Sequence, residues 1–98
     1  MIAVRYRTAD DAHADENQAL VEAVFAELAA SQPDGIRYAC LRLADGTFLH
    51  LADVTADPNP LAALETFQAF SSTVESRCAP GDGPNPQPAT VVGNYGLF

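Results

Sequence analysis

The chain has 98 residues, thirteen of them acidic against five arginines and no lysine, for a formal net charge of -8. That length supports one domain, spanning residues 1–98, with a single modest core. A chain this acidic repels phosphate backbones, which sets nucleic acid and anionic membranes aside as partners, and Arg5, Arg7, Arg37, Arg42 and Arg77 form no basic run.

Ile2 to Arg7 alternates Ile2, Val4 and Tyr6 with Ala3, Arg5 and Arg7, the period of a strand with one buried face. The acidic stretch Thr8 to Asp15 opens a helix over about residues 13–31, with Thr8, Asp10 or Asp11 as its cap. Leu20, Val21, Val24, Phe25 and Leu28 form its apolar stripe, and Gln32-Pro33-Asp34-Gly35 ends it. Gly35 to Leu43 and Thr47 to Val54 flank Asp45-Gly46, which predicts a hairpin with a two-residue turn. That register pairs Leu43 with Phe48, Arg42 with Leu49 and Leu41 with His50. It places Ala39, Leu41, Leu43, Phe48, His50 and Ala52 on one face, and Tyr38, Cys40, Arg42, Leu49 and Leu51 on the other.

Neither face of that hairpin is polar enough for open water. Two helices cover one face of such a sheet, and a second copy of the chain is the economical cover for the other. Asn59 and Pro60 match the cap and first position of a second helix over about residues 61–77. Its stripe runs through Leu61, Leu64, Phe67, Phe70 or Ser71, and Val74, and the spacing of three implies a bend or a short first segment. Pro80 to Pro88 holds four prolines and two glycines and reads as loop, and Thr90 to Tyr95 reads as the last strand. The result is an α+β sandwich in the order β-α-β-β-α-β on an antiparallel sheet.

Cys40 and Cys78, the only cysteines, read as free thiols of a reducing compartment. Arginines interrupt the early apolar stretch Met1 to Arg7, and no run approaches the roughly 20 apolar residues of a membrane span. A cytoplasmic location is the expectation.

This element order and length, the Asn59-Pro60-Leu61 entry and the Phe67…Phe70 helix resemble the dimeric α+β barrel proteins, especially the antibiotic biosynthesis monooxygenase-like group. The resemblance implies a ferredoxin-like domain whose sheet packs face to face with that of a second copy. It also implies an apolar pocket between sheet and helices, suited to cofactor-independent oxygenation of polycyclic quinols or to haem degradation. The chain departs from both patterns in having no tryptophan and no histidine after His50, so its second helix has no axial haem ligand. No cofactor is expected.

His50 is the candidate catalytic residue, a base toward a phenolic or enolic substrate with a pKa near the working pH; its plain alternative is a satisfied core histidine. Phe25, Phe48, Phe67 and Phe70 are the candidate ligand-binding residues for a flat hydrophobic compound. Tyr38 and Arg42, on the opposite face, belong with the dimer interface, where Arg42 meets an acidic residue of the partner; the alternative is that Arg42 binds a carboxylate or oxyanion. His13 among Asp10, Asp11, Asp15 and Glu16 reads as an acidic helix start rather than a metal site, having no recognised ligand spacing. Cys78 lacks a positioned histidine and is no nucleophile on this reading. Two functions follow: a homodimeric cofactor-independent monooxygenase with His50 as base, or a non-catalytic carrier or scaffold of the same fold.

Overall fold

Asp10 starts the long helix, because its carboxylate accepts the backbone N–H of His13 at 2.8 Å and so satisfies a donor with no partner inside the helix. In a computed structural model describing residues 1–97, that helix is α1, Asp11–Ser31. It follows β1, Ile2–Arg7, and leads to the hairpin of β2, Ile36–Arg42, and β3, Thr47–Val54. A 3-10 turn, Pro60–Ala63, precedes α2, Glu65–Ser71, and α3, Val74–Arg77; β4, Asn85–Pro88, closes the sheet. The strands lie in the order β2-β3-β1-β4, every neighbouring pair antiparallel. This small α+β domain is compatible with a ferredoxin-like fold.

The helices lie on one face of the sheet. From α1 the core takes Ala14, Val21 and Val24, with Asn17 on the same line. From the strands it takes Tyr6 and Phe48, and from the second helical region Leu61, Phe70 and Val74. Leu20, Phe25 and Leu28 flank this line half-buried, so the buried stripe of α1 sits closer to its N-terminus than the leucines and phenylalanine suggest. Asn59 caps the 3-10 turn as expected, its side chain accepting the Leu61 N–H at 2.9 Å. The helical region then breaks at Leu64, whose φ of -81° and ψ of 126° are extended, which accounts for the spacing of three.

The hairpin departs from the predicted register. Its loop has three residues, Ala44-Asp45-Gly46: the Leu43 N–H donates to the Thr47 carbonyl at 2.8 Å, and the Gly46 N–H to the Leu43 carbonyl at 3.2 Å. Asp45 accepts the Thr47 N–H at 2.9 Å, and Gly46 takes a φ of +85°, the left-handed position that such a loop requires. Arg42 therefore pairs with Phe48, Leu41 with Leu49 and Cys40 with His50. A slip of one residue moves a whole strand's side chains to the other face. Tyr38, Cys40 and Arg42 join Phe48 and His50 toward the helices, while Ala39, Leu41 and Leu43 join Leu49 and Leu51 on the open face.

The last strand also lies elsewhere than predicted. Asn85–Pro88 forms it, from inside the proline-rich stretch, with Asn85 opposite Arg5 and Gln87 opposite Ala3. Prolines are tolerated on an edge strand where their nitrogens face outward, and Pro86 and Pro88 alternate with the two residues able to donate to β1. Residues 90–95 continue as a tail in which Val92 and Tyr95 are fully exposed.

An alanine at Gly46 would carry its Cβ 2.9 Å from Thr8 Oγ1 at a positive φ, whereas at Gly81, also at positive φ, nothing lies within 4 Å. Gly46→Ala should therefore lose about 1–2 kcal/mol of stability in urea titrations and Gly81→Ala about 1 kcal/mol or less.

Candidate functional site

Five polar side chains from five elements meet under the helical layer. The strand register sets Val4 and Cys40 on either side of His50, and all three face the helices. Tyr6 Oη lies 2.7 Å from His50 Nε2, and Tyr38 Oη lies 2.5 Å from His50 Nδ1. Asn17 of α1 donates from Nδ2 to Tyr6 Oη at 2.8 Å. Arg77, at the end of α3, donates from Nε to Asn17 Oδ1 at 2.9 Å, from Nη1 to Thr73 Oγ1 at 2.5 Å and from Nη2 to the Phe70 carbonyl at 3.1 Å. Asn17, Arg77 and His50 are 0%, 2% and 5% exposed, so these bonds replace water almost entirely.

Burial governs the protonation of the group. It pushes the His50 imidazolium down to about 4, leaving a neutral ring at neutral pH. It raises the phenols of Tyr6 and Tyr38 above their ordinary value and the Cys40 thiol to about 11. Cys40 Sγ lies 3.5 Å from His50 Nε2, but a thiol held protonated at that pKa is no nucleophile. The pKa of His50 lies well below neutrality rather than near the working pH, and both ring nitrogens face tyrosine hydroxyls.

Beside this group a cavity of about 650 Å³ opens between sheet and helices, a volume typical of small-molecule sites. Its wall is mostly hydrocarbon and aromatic, with Ile2, Val4, Leu61, Phe67, Phe70 and Val74 around Tyr6, Tyr38 and His50. Asp53 and Glu75 also line it.

The cavity thus brings together three of the sequence-predicted site residues, His50, Phe67 and Phe70. Phe70 tilts against both His50 and Phe67, with ring centroids 5.4 and 6.1 Å away. Phe25 and Phe48 lie outside this lining. Phe25 stacks on Tyr38 at 4.8 Å, and Phe48, 1% exposed, stacks on Tyr6 at 5.6 Å. Tyr38 is on the His50 face rather than the opposite one. Arg42 shares that face and binds within its own chain, to Asp15 at 3.0 Å and Gln18 at 2.8 Å of α1. His13 Nδ1 lies 2.6 Å from the capping Asp10 carboxylate. Among the described residues no group of three side chains is placed to hold a metal ion. Cys40 and Cys78 are unpaired thiols.

Tyr6, Asn17 and Arg77 are the polar residues that sequence patterning passed over. Asn17 carried a signal: residues 14, 17, 21 and 24 recur at helical spacing, and a lone amide on an otherwise apolar line marks a buried polar contact. Tyr6 has the inward parity of its strand. Nothing local distinguishes Arg77 from a surface arginine.

No family model, curated protein or solved structure matches the chain.

The His50 environment predicts an acid limb. Above pH 6.5 the residue is neutral both folded and unfolded, whereas between 6.5 and about 4 the unfolded chain binds a proton that the folded chain excludes. Stability falls as pH drops through that window, by about 3 kcal/mol at its lower end. Chemical denaturation from pH 7 to 4 should show that loss in the wild type, and a His50→Gln variant should lack this component of it.

Proposed function

We propose that the chain is a homodimeric small-molecule-binding domain of the antibiotic biosynthesis monooxygenase-like type, taking a flat hydrophobic ring compound of the quinol or quinone kind into the cavity between sheet and helices. The observation that carries this reading is the cavity itself. Its wall is mostly apolar and aromatic, and the Tyr38–His50 pair offers a polar anchor among those rings, as suits a ligand recognised by shape plus a hydrogen bond.

Retention of the ligand is favoured over its oxidation by the state of His50. A cofactor-independent oxygenase must draw a proton from its substrate, and a ring held near 4 and bonded at both nitrogens is a weak base for a phenol. The scaffold of the oxygenases is thus read here as a carrier. Oxygen uptake above the buffer rate with anthrone or naphthalene-1,4-diol, abolished in His50→Gln, would restore the oxygenase reading; ligand retained without uptake supports carriage.

Support for a second copy comes from the open face of the sheet. Leu41 and Leu43 are 51% and 47% exposed there, beside half-buried Leu49 and Leu51. Leu97 from the tail comes over Ala39, Leu41 and Leu51, with which it lines a shallow hollow of about 310 Å³. An apolar sheet face of this kind is ordinarily covered. Sedimentation velocity should give a dimer for the wild type, and Leu41→Asp, at an exposed position outside the core, should give a folded monomer. A wild-type monomer at micromolar concentration would overturn the dimer.

A further inference from the structure

The bond directions in the buried polar group are fixed from one end. Arginine carries only donors, so the Asn17 atom 2.9 Å from Arg77 Nε is the carbonyl oxygen, and the amide nitrogen faces Tyr6. Tyr6 Oη therefore accepts from Asn17, and its own proton goes to His50 Nε2 at 2.7 Å. Any other placement strands a hydroxyl proton in a residue that is 1% exposed, which costs more than the bond is worth. With Nε2 accepting, the neutral ring carries its proton on Nδ1 and donates to Tyr38 Oη. Among the described residues, Tyr38 Oη has no further protein partner, and Tyr38 lines the cavity. All the donation runs one way, from Arg77 through Asn17, Tyr6 and His50 to Tyr38, and each link polarises the next.

We infer that Asn17, held by Arg77, is a specificity-determining residue: it makes the polar point of the cavity a hydrogen-bond donor, selecting planar ligands with an uncharged carbonyl oxygen. Hydrocarbons of the same shape leave that proton unpaired, and ligands offering only an N–H, with no lone pair to accept, meet donor against donor. An anionic oxygen is disfavoured by Glu75 in the lining and by the net charge of -8. This inference names the ligand class within the small-molecule-binding reading and rests on it.

Asn17→Asp tests the direction with almost no change of shape. A carboxylate at this position still accepts from Arg77 but can only accept from Tyr6. Tyr6 must then turn its proton toward α1 and accept from His50 Nε2–H, and Tyr38 must donate to Nδ1. The cavity would present a lone pair instead of a proton. Nitrogen-15 NMR of the imidazole reads the tautomer without any ligand. The expected result is a proton on Nδ1 in the wild type and on Nε2 in Asn17→Asp.

Calorimetry with three flat probes reads the consequence: fluorenone, which only accepts; carbazole, which only donates; and fluorene, which does neither. The wild type should bind fluorenone about tenfold more tightly than fluorene or carbazole, the worth of one hydrogen bond, and Asn17→Asp should prefer carbazole. A wild-type ring protonated on Nε2 overturns the proposal by itself, whether or not the variant folds. A switched tautomer with unchanged ligand preference overturns the specificity role. Failure of all three probes to bind overturns the cavity reading, while the NMR result still decides the bond direction.

Discussion

The contact between Arg77 and Asn17 is the constraint from which the interior takes its order. A guanidinium that is 2% exposed must have its donors met, yet among the described residues no carboxylate lies within ion-pairing distance, in a chain with thirteen of them. Neutral oxygens meet it instead: an amide from α1, a threonine hydroxyl and the carbonyl of Phe70, with the Phe70 ring 5.6 Å beneath the charge. A hydrocarbon core tolerates several relative placements of helices and sheet, but a line of bonds from α3 through α1 to three strands is satisfied in very few. The layer-to-layer register is set there, and the aromatic rings of Tyr6, His50 and Phe70 stack in the positions it leaves.

The order and approximate extent of the first strand, both hairpin strands and the first helix were legible in the sequence, because each follows from a local rule: alternation, a helical stripe, a capping side chain. The hairpin register was not, since Asp45-Gly46 is compatible with loops of two or three residues. What separates them is the Asp45 carboxylate bonding to Thr47 and the left-handed Gly46, both visible only when the chain is closed. That single residue of slip separated Tyr38 from His50 on paper and placed Arg42 at an interface. The last strand was misplaced because the prolines of residues 80–88 argue against a strand in general but not against an edge. His50, Phe67 and Phe70 could be picked out as candidates because an aromatic stripe and a histidine in an apolar strand stand out. Arg77 could not, because its burial depends on where three separate elements meet.

A histidine between two tyrosines changes what the cavity is able to do. An imidazole near neutrality with one free nitrogen is a base, whereas this one is engaged on both sides and held neutral by its surroundings. On the inferred bond directions the Tyr38 hydroxyl ends the chain of donors at the cavity wall, among Phe67, Phe70 and the aliphatic side chains.

The sheet's two rims are unlike. On one lies β4, where Pro86 and Pro88 break the row of backbone donors; on the other lies β2 with its outer edge unpaired. Strand addition at the β4 rim is thus blocked, and the same prolines that obscure the last strand in the sequence protect that edge of the sheet.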